Sequence, residues 1–122
     1  ARAVMEGISY EMNDIIQAEL AAGIKINGIR LTGGAAKSSI WCQMMADIYK
    51  QPIHILQTSE TGCLGAALYA GVGNGVYKNV KEAASIARIE KTYEPNGSNF
   101  EAYDEAYARF VAVYDALDGR FF

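Results

Sequence analysis

The sequence predicts an α/β fold, a helix followed by a strand-helix-strand unit and further helices, and three features carry that prediction. Ile29 and Leu31 alternate with Arg30 and Thr32 ahead of Gly33-Gly34, so an apolar strand over 29–32 ends in a sharp glycine turn. Trp41, Met44, Met45 and Ile48 then share one helical face, and Gln51-Pro52 stops that helix. Ile53 to Leu56 makes a second short strand. Two strands joined by a helix through tight connections lie parallel with a right-handed crossover.

The remaining elements follow from the same signals. Val4, Ile8, Met12, Ile15, Ile16 and Leu20 recur at helical spacing and Gly23 closes the pattern, which predicts a first amphipathic helix with one face against a sheet. Beyond the second strand, Thr58-Ser59-Glu60 offers a cap and an acidic first turn for the small-residue helix GCLGAALYAGVG, broken by Gly73-Asn74-Gly75. Gly62, Gly65, Ala66, Ala67 and Ala70 there permit close backbone approach. Asn79 and Glu82 have the spacing of a capping box for a short helix through Arg88. EPNGSN, residues 94–99, reads as a loop, and Ser98 with Glu101 opens a last helix to about Asp118. That helix carries Phe100, Tyr103, Tyr107, Phe110, Tyr114 and Leu117 in a stripe without interleaved cations, which reads as core or interdomain packing rather than base stacking.

Length and composition narrow the function. The chain has 122 residues, 51% of them hydrophobic, enough for one domain with its own core. It opens Ala1-Arg2-Ala3 inside a helical pattern, so a piece of a larger protein is expected. Eleven basic and 14 acidic residues give a net charge of −3 with no basic run to neutralise a row of phosphates, which argues against a nucleic-acid partner. Cys42 and Cys63 lack a CxxC or zinc-like spacing, so reduced thiols and a cytoplasmic location are expected. The longest apolar-leaning run, Gly62 to Gly73, is shorter than the roughly 20 residues that span a bilayer, and no membrane partner is expected.

The glycine turn has two readings. It is either an ordinary strand-to-helix turn or a cradle for an anionic ligand, with Ser38 or Ser39 capping a helix whose first-turn N–H groups and positive dipole end suit phosphate or ribose oxygens. In open parallel sheets ligands bind beyond the carboxyl ends of the strands, where Gly33 and Gly34 fall. The segment is neither a Walker A loop, since Leu31 and Ala36 stand where that motif needs glycine, nor GxGxxG. His54, the lone histidine, lies within a strand without clustered partners, so no metal ligand is expected. Asp47 sits mid-helix and Glu60 in a first turn, and neither forms an acid–base pair.

The stretches LTGGAAKSSIWCQMMADIYKQPI and SETGCLGAALYAGVGNGVY, in this order and spacing, resemble the C-terminal half of the FGGY family of carbohydrate kinases, with the xylulokinase-like, pentulose branch nearest. ARAVMEGISYEMNDII looks like the helix before that family's glycine turn, and YEPNGSNFEAYDEAYARFVAVYDAL like its closing helix. The resemblance implies an actin-like ATPase architecture of two ribonuclease-H-like domains closing on ATP, with residues 1–122 forming a C-terminal nucleotide-binding part of the second. Carried over by position, Gly33, Gly34 and Ala35 lie where the family's turn approaches the adenosine and α-phosphate, and Ser38 where a polar residue reaches the nucleotide. Gly62, Gly65 and Ala66 match a helix expected to pack beneath the site. The chain departs from the family pattern at Ala35, where many members have a third glycine, at Ser39, where proline is usual, and at Cys42, where arginine is common.

The implied activity is ATP-dependent phosphorylation of a ketose such as xylulose, or of a related polyol. The family's catalytic aspartate, its two phosphate loops and most sugar contacts belong to regions upstream, so no catalytic residue is expected here and the chain alone is expected to be inactive. The implied cofactors are ATP and Mg2+, both held mainly outside this chain. The implied partners are the sugar with ATP and the N-terminal domain of the same protein; whether a second copy joins in a homodimer is left open by the sequence. A nucleotide-binding regulator, a chaperone-type ATPase module or a pseudo-kinase of the same fold is the alternative.

Overall fold

A computed structural model describes residues 1–58 and 60–118. Strand β1, Ile29–Leu31, runs parallel to β2, Ile53–Leu56, with Ile29 opposite Ile53 and Leu31 opposite Ile55. The connection is helix α2, Ser39–Tyr49, preceded by a 3-10 turn at Ala35–Lys37. This is the strand-helix-strand unit that the apolar pattern predicts, with the first strand one residue shorter.

Helix α2 begins where Ser38 Oγ accepts the Trp41 N–H at 3.3 Å, and it ends with Lys50 in the left-handed region at φ 53° just before Pro52. Cys42, Met44, Met45, Ala46, Asp47, Ile48 and Tyr49 are all buried along it. Helix α2 is therefore the centre of the core, with Ile29, Leu31, Ile53 and Ile55 of the strands on one side and the first and last helices on the other.

The first helix, α1, spans Arg2–Ala21 and ends as anticipated at Gly23. Gly23, at φ +83°, donates to Leu20 O and Ile24 donates to Glu19 O, the paired bonds of a Schellman motif. Its packing differs from the prediction in two ways. α1 lies mainly against α2 and the last helix rather than on the sheet, and its buried residues are Ser9, Tyr10, Asn13 and Ile16. Of the expected stripe, Val4 is 66% exposed and Ile15 51%. Ser9 goes inward because its hydroxyl is satisfied there: Ser9 Oγ donates to Met5 O at 2.8 Å and accepts the Trp41 Nε1–H at 3.1 Å.

Strand β3, Ile89–Tyr93, is an element that the sequence does not announce. It pairs antiparallel with β2 and completes a sheet of order β1-β2-β3, with an irregularity at Ile55/Leu56. Across this pair His54 Nδ1 and Thr92 Oγ1 are 2.9 Å apart, so the histidine is a cross-strand partner.

Helix α3, Thr61–Gly73, and helix α4, Val80–Ala84, pack on each other. α4 is shorter than predicted, but its cap is the expected one: Asn79 Oδ1 accepts from Glu82 N at 2.9 Å, while Glu82 Oε2 accepts from Lys78 N at 2.7 Å. α3 has no buried residue, although it is apolar around its whole circumference. The space beside Gly62 and Gly65 is open, so among the described residues nothing packs on these glycines. Thr58 Oγ1 accepts from Glu60 N at 3.2 Å ahead of α3, and Ser59 lies outside the described residues. Among the described residues no helix is long and apolar enough to cross a membrane.

The last helix, α5, runs Phe100–Leu117 after a 3-10 turn at Gly97–Asn99. The predicted Ser98–Glu101 capping box is not formed. Asn96 Oδ1 takes both Ser98 N and Ser98 Oγ, so the serine belongs to the turn rather than to the helix cap. Tyr103, Tyr107 and Phe110 of the aromatic stripe pack on the core, whereas Tyr114 is 60% exposed.

Candidate functional site

A cleft of about 290 Å3 opens beyond the carboxyl ends of β1 and β2. Leu31, Thr32 and Gly33 form one wall, Ala36 and Lys37 of the 3-10 turn extend it, and Ile55 to Thr58 with Glu90 of β3 form the other. The parallel pairing creates this place, since both strands end at the same level and their chains then turn away in different directions.

The glycine turn divides its work unequally. Gly33 has φ +79°, a left-handed conformation that a residue with Cβ adopts at a cost, whereas Gly34 is right-handed at φ −63°, ψ −39°. Beyond the flanking residues, no described atom lies within 4 Å of where a Cβ would stand at either position, so the turn presents open backbone.

Of the four residues expected at the site, Gly33 lines the cleft. Gly34 lies one residue along, exposed, at the start of the 3-10 turn. Ala35 packs its side chain against the core. The Ser38 hydroxyl oxygen accepts from Trp41 N and begins α2, which leaves its O–H to donate elsewhere. Below the turn the buried Cys42 Sγ lies 3.6 Å from Ala35 O and 3.7 Å from Ala36 O, tying the turn to the helix. Burial pushes the Cys42 thiol up, which keeps it protonated and a weak nucleophile.

Thr32, Lys37, Gln57, Thr58 and Glu90 are the polar lining that the sequence did not single out for the cleft. The signal for Gln57 and Thr58 was their place directly after an apolar strand, and Glu90 required the register of an undetected strand. Among the described residues no group of three His, Cys, Asp or Glu side chains comes together, and the cleft lining holds one carboxylate. Mg2+ is bound through one or two carboxylates together with phosphate oxygens and water. The cleft lining therefore offers open backbone at the glycine turn and a single carboxylate.

An α/β unit of the actin-like ATPase fold is what this arrangement defines, and solved structures share it. A ligand-bound xylulose kinase from Lactobacillus acidophilus matches with TM-score 0.83 and 28% identity over 97% of this chain and 24% of its own. A gluconate kinase from the same organism matches with TM-score 0.85 at 28% identity, with the same coverage. The Plasmodium falciparum glycerol kinase with ADP, at 22% identity and TM-score 0.74, shares the fold. Among curated relatives, a xylulose kinase of Staphylococcus epidermidis is 36% identical over 93% of this chain and 23% of its own length. An L-xylulose/3-keto-L-gulonate kinase of Escherichia coli is 35% identical over 97% and 24%. Residues 1–73 match the family model described as the C-terminal domain of the FGGY family of carbohydrate kinases, and the chain belongs to that family. It spans about a quarter of the length of the curated relatives it matches.

Proposed function

We propose that this chain is the nucleotide-holding part of an ATP-dependent sugar kinase that phosphorylates a ketose such as xylulose, or a related polyol. The observation that carries the proposal is the left-handed Gly33 at the mouth of the cleft, with no atom near its Cβ position, beyond two parallel strand ends in a chain of this family. The relatives named as xylulose kinases support a pentulose, and the glycerol and gluconate kinases among them keep polyols and sugar acids in the substrate panel.

In this proposal Gly33 and Gly34 let the adenosine side of ATP approach the backbone, Ala35 contributes main chain only, and Ser38 donates its O–H to the nucleotide while its oxygen holds α2 in place. ATP supplies the phosphoryl group and Mg2+ the countercharge, with the metal held outside this chain. Domain closure excludes water, and an aspartate in the upstream domain takes the proton of the attacking sugar hydroxyl. Residues 1–122 act as one unit of a cytoplasmic enzyme, paired with that domain and with a second copy of the protein. Alone they hold part of the nucleotide site and turn over no sugar.

ADP release by the full-length protein across ketoses, polyols and sugar acids tests this, with the isolated chain as control. Release with one sugar is expected. ATP binding without release on any sugar would move the protein to the regulator or pseudo-kinase class, and sugar-dependent release by the isolated chain would overturn its assignment as a partial site.

A further inference from the structure

We infer that Lys37 is a phosphate-binding residue of the cleft, gripping the polyphosphate end of the nucleotide rather than its nucleoside end; this rests on the cleft being the nucleotide site. Lys37 closes the 3-10 turn Ala35–Lys37, is exposed, and lines the cleft together with Gly33 and Thr58. Among the described residues it is the one cation of that lining and Glu90 the one carboxylate. Arg2, Lys50 and Arg109 each have a carboxylate within reach, and Lys91 lies over the Tyr93 ring at 4.4 Å. The Lys37 ammonium has no such partner among the described residues, so its charge is left for a ligand.

The backbone beside it strengthens the assignment. Lys37 N donates to Gly34 O at 3.2 Å, Ser38 N donates to Ala35 O at 3.1 Å, and Trp41 N is taken by Ser38 Oγ. These amides, which would otherwise be natural anion donors between a glycine turn and a helix, are already occupied. At the end of the turn the lysine side chain stands beside these occupied amides, a flexible point charge suited to phosphate oxygens. A single uncompensated cation in a concave cleft draws the anionic end of a ligand to its own wall, and Glu90 on the opposite wall turns it away from the other.

The test is the affinity of the full-length protein for ADP and for adenosine, measured by titration calorimetry on wild type, Lys37→Ala and Lys37→Arg. Lys37→Ala is expected to weaken ADP about tenfold with adenosine and the urea midpoint unchanged, as befits loss of one charge-assisted contact, and Lys37→Arg is expected to stay within about threefold of wild type. Unaltered ADP affinity in Lys37→Ala, or equal losses for ADP and adenosine, would overturn the assignment. A wild-type protein that binds neither ligand would instead overturn the nucleotide-site reading itself.

Discussion

Asn99 Nδ2 donates to Asp47 Oδ2 at 2.8 Å, joining the turn before α5 to the middle of α2 across 52 residues of chain. The other carboxylate oxygen accepts from Asn96 N and from Gln43 Nε2, each at 2.8 Å, and Gln43 also donates to Glu94 O. Asp47 is 2% exposed, so it is a buried anion that is tolerated because three donors surround it. Its work is to seat the loop 94–99 and so aim α5 at the core. Asp47→Ala is expected to cost about 2–4 kcal/mol, because the donors of Asn96 and Asn99 are left without an acceptor. Urea unfolding followed by circular dichroism measures it, and a loss below about 1 kcal/mol would assign the seating of α5 to the Tyr103, Tyr107 and Phe110 contacts alone.

Gly33 and Gly34 are neighbours with opposite requirements. Gly33→Ala forces a Cβ into φ +79° and is expected to destabilise by about 1–2 kcal/mol, whereas Gly34→Ala, in a right-handed backbone with open space, is expected to be neutral or to stabilise by about 0.5 kcal/mol. Gly34→Arg is therefore not strained either, and in the full-length protein it is expected to raise the ATP KM by placing a long side chain over the turn. Equal unfolding midpoints for the two alanine variants would show that the left-handed turn is not required, and unchanged ATP kinetics in Gly34→Arg would remove this residue from the site.

Gly28 stands against His54. At φ +138° it lies outside the range of most side chains, and an added Cβ would fall 2.6 Å from His54 Nε2. Gly28→Ala is expected to cost about 2–3 kcal/mol, part from the backbone and part from the collision. A double-mutant cycle with His54→Ala separates them: relief of the collision leaves the backbone cost in place. Strict additivity of the two substitutions would mean that the ring swings aside freely despite its bond to Thr92.

How much was legible before the structure depends on what each residue's neighbours are. Ile29, Leu31 and Ile53 announced the parallel pair because both strands are short, apolar and bounded by glycine or proline, and their register follows from one tight crossover. α1 was legible as a helix but not in its facing. Ser9 looks like a surface residue until Trp41 and Met5 supply its partners, as Asn13 does until Gln17 donates to it, while Val4, Ile8 and Ile15 of the apolar stripe are exposed. β3 was hidden because Ile89 to Lys91 at an edge need satisfy one neighbour, which permits Glu90 and Lys91 where an interior strand would carry apolar residues. At the cleft, Gly33 was legible from its local turn. Thr58 and Glu90 were not, because they come from separate segments that only strand pairing brings together.

Tyr107 and Asp14 give the pairing of α1 and α5 a pH dependence. The Tyr107 hydroxyl donates to Asp14 Oδ1, and burial, with help from that bond and from the carboxylate charge, pushes the phenol up to about 12 from its usual 10.0. In the unfolded chain the phenol ionises near 10.0, so the folded state holds the proton more tightly. Its contribution to stability is therefore complete below pH 10 and is lost as pH rises towards 12. Burial raises Tyr10, Tyr49 and Tyr103 in the same direction, so the decline has several contributors. Tyr107→Phe is expected to lower the urea midpoint slightly at pH 8, by removing the bond to Asp14, and to flatten the fall at high pH. Wild type and Tyr107→Phe losing stability in parallel across that alkaline range would show that the Asp14 contact does not govern this titration.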